Sequence, residues 1–451
     1  MGKYDAIATN QGNLGFYRLL KRVKMKRREF ILKAGAGAAA FSVIPSSVLG
    51  KNGTVPANDR IGLGYIGTGK QNRYLVKQLS KCPGVIAVAA CDVDSKKLEW
   101  FRQIATDANK TNNQGIAEVT TCKDYRELLG NNKIDAVVIA TPDHWHAQVA
   151  VDAAKAGKDI YCEKPMALTV AEGRAMVNAT RKFKRVFQTG NMQRSWRDFR
   201  HAVELVRNGY IGVIKEINVN VGDPVVQCDL PTEQVPDYLD WDLWLGPSLF
   251  RGFNAILSPP VEQDIFPRWR LYRDFGGGGI TDWGAHMFDI AQWALNMDES
   301  GPVEFIPPLG KATRGLKMVY KNGTVMNHIN WGESNAVQFI GTEGKIEVSR
   351  SFLRTFPNPD LAKADLKSTD KRVYYSDNHY QDWIDAIRKR TRPISDVETG
   401  HRTSSLCNIA NIAYELQRPL SWNPDRERFS DKYANLMLSR PVRGKWDFTD
   451  F

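Results

Sequence analysis

Arg60-Ile61-Gly62-Leu63-Gly64-Tyr65-Ile66-Gly67-Thr68-Gly69-Lys70-Gln71-Asn72 reads as a strand running into a glycine turn. Arg60 to Ile66 alternates with the period of two expected of a strand. Two glycine patterns overlap here. Gly62, Gly64 and Gly67 match G-x-G-x-x-G literally, but that frame leaves almost no strand ahead of the turn. The frame starting at Gly67 follows a full strand. Gly67, Thr68, Gly69, Lys70, Gln71 and Asn72 are therefore the expected phosphate-facing turn, with a helix over Arg73 to Leu79. Asn72 stands where a third glycine is usual, a departure expected to loosen the packing of helix on strand.

The chain beyond this turn repeats strand and helix. Val85 to Cys91 is a buried strand ending in Asp92. An acid at that edge accepts bonds from ribose hydroxyls and repels a 2′-phosphate, which favours NAD over NADP. Asp92 can equally cap the helix that starts near Ser95. A helix near Tyr125–Leu129 and a strand over Ala136–Ala140 lead to Thr141-Pro142-Asp143-His144-Trp145-His146. The two histidines have no partner cluster in sequence, so no metal is expected. A helix over Ala147–Ala156 precedes the strand Lys158–Cys162, which ends at Glu163-Lys164-Pro165. Proline disfavours continuation, so the strand stops and Lys164 stands at its carboxyl end. In open α/β sheets that edge is where ligands bind. Alternating strands and helices predict an α/β domain, a Rossmann-type doubly wound parallel sheet over residues 59–181.

Residues 182–451 read differently. Val186–Asn191 is a strand crossing out of the first domain, followed by Gln193-Arg194 and a helix over Phe199–Asn208. Glu216–Val221 opens a new sheet. Residues 222–268 are loop-like, and Trp241 and Trp244 there either pack the loop or offer faces to a sugar ring. Gly276-Gly277-Gly278-Gly279 permits close backbone approach to a ligand. A helix then starts near Asp282, placing Asp282 and His286 at i, i+4 on one face. Alone, these two would be a cap and a core histidine. Met318–Tyr320, Thr324–Ile329, Ala336–Ile340 and Lys345–Val348 are strands with short connections, which predicts an α+β domain with a large, mostly antiparallel open sheet.

Composition sets the bounds. The 451 residues are 42% hydrophobic and 25% charged, as in ordinary globular chains of two or three domains. The net charge of +12 is concentrated at the start, since residues 1–33 hold nine Lys/Arg and two acids. The remainder, about +5, does not argue for nucleic acid. The six cysteines show no CxxC and no even spacing, hence no metal site or disulfide framework. Lys26-Arg27-Arg28-Glu29-Phe30-Ile31-Leu32-Lys33 is a twin-arginine pattern, followed by an uncharged stretch from Ala34 to Leu49. That stretch is too short and too weakly apolar for a comfortable span, so residues 1–50 are expected to be an export leader and the mature protein periplasmic, without a stable membrane span. Met25 directly precedes the motif, so the true start could be residue 25.

Gly67-Thr68-Gly69, Asp92, Thr141-Pro142 with His146, and Glu163-Lys164-Pro165 together resemble the glucose–fructose oxidoreductase/inositol dehydrogenase/rhizopine catabolism (Gfo/Idh/MocA) family. The resemblance covers essentially everything after Asn58. It implies an NAD-dependent dehydrogenase acting on a secondary hydroxyl of a small carbohydrate, with a homo-oligomer (dimer or tetramer) formed through the second domain's broad, partly apolar sheet. It assigns Lys164, Asp282 and His286 to the reacting centre. It places Gly67, Thr68, Gly69, Lys70, Gln71, Asn72, Asp92, Thr141, Pro142, His146, Glu163, Lys164 and Arg194 around the cofactor. Histidine can take the proton at neutral pH with little tuning, whereas lysine needs a lowered pKa, so His286 is the expected base and Lys164 the group polarising the same oxygen. A branch of the family hydrolyses glycosides by transient oxidation. Its usual Tyr-Pro-Thr-His stretch is not apparent, and Thr281-Asp282-Trp283-Gly284-Ala285-His286 is dehydrogenase-like. A non-catalytic sugar-binding role is the third reading, and the complete lysine–aspartate–histidine set argues against it.

Overall fold

The computed structural model describes residues 59–111 and 118–444, together with Pro56. The twin-arginine pattern and the leader through residue 50 lie outside the described residues. No helix among the described residues is long and apolar enough to cross a membrane.

Six parallel strands form the first sheet: β1 (Ile61–Ile66), β2 (Val85–Cys91), β3 (Thr120–Cys122), β4 (Ala136–Ile139), β5 (Asp159–Cys162) and β6 (Phe187–Thr189). Their order is β3-β2-β1-β4-β5-β6, with the switch point between β1 and β4. The connecting helices are α1 (Lys70–Leu79), α2 (Ser95–Thr111), α3 (Tyr125–Leu129), α4 (Asp143–Lys155) and α5 (Val170–Lys182). β2 and β4 are apolar on both faces and β5 is buried throughout, as a sheet covered on both sides requires. β6 pairs with β5, so the first sheet runs past the expected boundary at residue 181. Two helix starts also differ from expectation. α1 begins at Lys70 rather than Arg73, and α4 begins at Asp143 directly after Pro142, which puts His144 and His146 in its first turn.

The second sheet has nine strands. They are β7 (Ile214–Asn220), β8 (Glu304–Ile306), β9 (Leu316–Val319), β10 (Val325–His328), β11 (Ala336–Gly341), β12 (Lys345–Ser349), β13 (Leu353–Phe356), β14 (Leu420–Asn423) and β15 (Arg428–Phe429). All neighbours run antiparallel except β7 and β10. Its helices are α6 (Arg197–Arg207), α7 (Trp241–Leu245), α8 (Gly279–Asp282), α9 (Gly284–Ala294), α10 (His379–Lys389), α11 (Val397–Leu416) and α12 (Lys432–Leu436). Period two sorts the sheet's faces. Ile217, Val219, Phe339, Ile346 and Val348 join the core beneath α6, α9 and α11. The opposite face, expected to be partly apolar, carries a ladder of amides and acids: Asn218 donates to Gln338, Asn327 to Asn218, and Gln338 to Glu347.

The chain returns to the first domain near its end. α10 packs Tyr380, Trp383 and Ile384 into the core of the first sheet, with Trp383 edge-on to Tyr161. Arg174 of α5 bridges Glu398 on α11 and Glu427 beyond it. The carboxyl end of β5 meets α8, where Lys164 contacts Asp282.

Candidate active site

The Gly67 turn is built by close approach. Gly67 has φ +79°, and a Cβ there would lie 2.8 Å from the Thr141 nitrogen and 2.9 Å from the Ala140 carbonyl oxygen. Asn72 does not loosen this turn. Its side chain is fully buried, and its amide donates to the carbonyls of Gly67, Ile66 and Val138, tying helix, turn and two strands. Gly69 precedes α1, and a Cβ on it would meet nothing within 4 Å. No side chain caps that helix start and no acid lies in its first turn. Free N–H groups and the positive end of the helix dipole are thus presented beside open space.

Asp92 sits at the end of β2. Its Oδ2 accepts from the Thr68 backbone at 2.5 Å and the Thr68 hydroxyl at 2.9 Å, and Oδ1 accepts from the Asp94 backbone at 2.9 Å. Burial pushes this carboxyl up, and Lys97 opposes the shift. Asp92 is not the cap of α2. Asp94 fills that role, accepting from Lys96 and Lys97 nitrogens at 3.0 Å each. One acceptor position on Asp92 Oδ1 therefore stays available for a hydroxyl.

Gly67, Gly69, Lys70, Gln71, Asp92, Thr141 and Pro142 line one cleft. The uncapped helix, the open face at Gly69 and the spare acceptor on Asp92 fit a dinucleotide. From the second domain, Val261 to Arg270 closes over the opening. Asp264 there accepts from Arg73 at 2.7 Å and from Lys70. Thr68 and Asn72 support the cleft from beneath, both fully buried. Trp241 and Trp244 stack on each other at 4.5 Å within a buried cluster, so of the two roles open to them they pack the loop.

The remaining expected residues divide into two groups. Glu163 is buried and accepts from Gln71 Nε2 at 2.8 Å, while burial pushes its carboxyl up. Lys164 Nζ donates to Asp282 Oδ1 at 2.5 Å and to the Asp282 carbonyl at 2.9 Å. Burial would raise Asp282, but Lys164 and Arg270 outweigh it and hold the carboxyl below its ordinary range. Asp282 ends the one-turn helix α8 and His286 lies in the first turn of α9, with a break at Trp283 in place of one continuous helix. Burial, then the charges of Lys164 and Arg350, push His286 well below 6.5, so the imidazole is neutral. Its Nε2 takes a hydrogen bond from Arg350 Nη2 at 3.2 Å, which assigns the ring proton to Nδ1. That Nδ1 is buried without a hydrogen-bond partner among the described residues. This centre adjoins the cleft rather than lining it: Arg270 lines the cleft, and its Nε is 3.9 Å from Asp282.

Three expectations are corrected. Arg194 does not line the cleft. Its guanidinium is buried on Asp289 at 2.7 and 2.8 Å and Asp298 at 2.7 Å, where it anchors α9. His146 lies under the cleft, bridging the carbonyls of Thr141 at 3.1 Å and Pro165 at 2.9 Å, and burial lowers it to about 4. It braces the Lys164-Pro165 turn. The glycine run approaches chain rather than ligand, since a Cβ on Gly278 (φ +81°) would lie 2.6 Å from the Val225 nitrogen. Sequence reasoning missed Arg270 and Arg350. Arg270 belongs to Arg268-Trp269-Arg270, a basic–aromatic run that could have been noticed. Arg350 carries no sequence signal, because it stands 64 residues from the histidine it touches.

Comparison with known proteins agrees with this fold. Residues 61–191 match the family model described as "Oxidoreductase family, NAD-binding Rossmann fold", and residues 223–448 match "Oxidoreductase family, C-terminal alpha/beta domain". A glycosyl hydrolase family 109 protein of Shewanella pealeana is 32% identical over 211 residues, covering 42% of this chain and 44% of that protein. The chain thus spans under half the length of that relative. An uncharacterised oxidoreductase of Bacillus subtilis, YrbE, is 30% identical over 337 residues, covering 72% of this chain and 83% of that protein. The crystal structure of aldose–aldose oxidoreductase from Caulobacter crescentus complexed with glycerol shares the fold, with TM-score 0.56 and 18% identity over 80% of this chain and 99% of that one. With both of its domains matched and a relative aligned along most of its length, the chain belongs to the Gfo/Idh/MocA oxidoreductase family.

Proposed function

We propose that the protein is an NAD-dependent oxidoreductase that removes hydride from a secondary hydroxyl of a sugar, polyol or glycoside. The observation that carries this reading is the pairing of Lys164 with Asp282 beside a neutral His286 at the carboxyl edge of β5. Nicotinamide, when bound, accepts the hydride. Gly67, Gly69, Lys70, Gln71, Asp92, Thr141 and Pro142 would hold the dinucleotide. Lys164 is oriented by Asp282 and supplies a cation to the alcohol oxygen as charge develops there. His286 takes the hydroxyl proton on Nε2 once Arg350 releases that lone pair. Asp92 supports NAD over NADP, because a 2′-phosphate would meet a carboxylate.

A second reading is favoured by the relatives named glycosyl hydrolase family 109 proteins. In it the same hydride abstraction acidifies the neighbouring C–H, a glycosidic bond is eliminated, water adds, and the hydride returns. Purified protein incubated with a panel of sugars and aryl glycosides separates the readings. Accumulating reduced nicotinamide supports the dehydrogenase. Released aglycone with unchanged cofactor supports the hydrolase. Neither product on any member of the panel would count against both.

The twin-arginine pattern supports export to the periplasm in folded form. Arg27→Lys with Arg28→Lys should leave the protein in the cytoplasm, and unchanged periplasmic yield would refute that route. A homo-oligomer formed through the polar outer face of the second sheet completes the proposal. A monomeric mass by light scattering would refute it.

A further inference from the structure

We propose that the substrate is an anionic sugar whose carboxylate docks on the Arg350 guanidinium between Trp196 and Trp283. This rests on the oxidoreductase reading for the place of the reacting hydroxyl and extends it to a substrate class.

Arg350 closes β12 where the chain turns into β13. Its guanidinium lies 4.5 Å from the Trp283 ring and 5.4 Å from the Trp196 ring. Other arginines of the second domain are already paired: Arg314 with Asp223 at 3.1 Å and Arg354 with Glu333 at 2.8 Å. Arg350 has no carboxylate within ion-pair distance among the described residues, and its one polar contact is the neutral ring of His286 at 3.2 Å. A guanidinium carries five N–H donors, so most of this fork is uncommitted. The planar fork suits a carboxylate bidentately, and the flanking indoles offer faces to sugar C–H groups.

The charge balance points the same way. Three cations, Lys164, Arg270 and Arg350, surround Asp282 and act on it. Two further carboxylates act on these groups: Glu163, which burial moves toward its neutral form, and Asp143, which burial moves well above the ordinary range. Burial likewise holds His286 and His379 neutral. A polyol brings nothing to offset this excess, whereas one carboxylate offsets it directly. The docking also serves the chemistry. A carboxylate that draws Arg350 away frees the His286 Nε2 lone pair for the hydroxyl proton.

Trp196 and Trp283 make the site its own reporter. Tryptophan fluorescence of the full chain with its bound cofactor would be titrated with methyl glucuronide against methyl glucoside, and methyl galacturonide against methyl galactoside. Within each pair only the carboxylate differs. The uronide should bind at least about 10-fold tighter in one pair, and the preference should fall with added salt. Arg350→Met should bring that ratio close to one, and Arg350→Lys should leave an intermediate value. Equal binding within both pairs, a preference that survives Arg350→Met, or no binding of either uronide would overturn the proposal. Nicotinamide absorbance is read separately. Uronide preference without cofactor reduction would leave the anion site standing and remove the oxidoreductase reading. Reduction by neutral sugars alone would do the reverse.

Discussion

Lys164 Nζ stands 2.5 Å from Asp282 Oδ1, so the carboxyl end of β5 in the first domain is pinned to the last residue of α8 in the second. This ion pair joins the two domains at the site and sets a cation where the alcohol oxygen is expected. Both partners are largely shielded, with side chains 16% and 25% exposed, so the pair is weakly screened.

The cofactor turn gives the first prediction. Asp92 holds Thr68 and also offers one acceptor to a ribose. Asp92→Ala should weaken NAD binding by about 10-fold or more while narrowing the preference against NADP. Titration of both cofactors against wild type and variant checks this. Equal losses for the two would show that Asp92 only braces the turn.

The state of His286 gives the second. Burial and the cations Lys164 and Arg350 favour its neutral form, so the acid limb of kcat/KM should fall well below 6.5. Removing a neighbouring cation lets the ring hold its proton more easily. Arg350→Met should therefore move the limb to higher pH. A limb near 6.5 in wild type, unmoved in the variant, would place the titrating group elsewhere.

The third concerns the joint between α5 and α11. Burial would raise Glu398, but hydrogen bonds from Arg174 and its charge hold it at about 2, against an ordinary 4.5. The folded value lies below the unfolded one. The contribution is complete above pH 4.5 and is lost as pH falls toward 2. Arg174→Met should destabilise the protein at neutral pH by about 1–3 kcal/mol, with the gap from wild type closing below about pH 3. Denaturant titrations at several pH values test this. A gap independent of pH would mean Arg174 acts through packing alone.

Local pattern carried the parallel sheet, because each βα unit announces itself through apolar runs and turn residues. It also brought Lys164, Asp282 and His286 to attention. It could not show that Arg194 is consumed by Asp289 and Asp298, because those partners lie 95 and 104 residues away, or that His146 braces two carbonyls, because backbone acceptors leave no mark in the side-chain pattern. The role of Asn72 was misread for the same reason: the carbonyl of Val138 that it binds lies 66 residues on. The glycine run failed differently. Close approach was correctly inferred, but the approaching group is the Pro224-Val225 backbone rather than a ligand. Arg350 lay beyond any sequence argument, since a hairpin fold alone carries it to His286.

Single-turnover reduction of bound nicotinamide, measured for wild type, Lys164→Met and His286→Asn on a substrate the wild type oxidises or cleaves, tests the central claim most directly. The account predicts that each variant keeps its cofactor and forms reduced nicotinamide at least about 100-fold more slowly. The double variant should lose far less than the product of the two single losses, because both groups act on one hydroxyl. Reduction at the wild-type rate in either single variant would contradict the account.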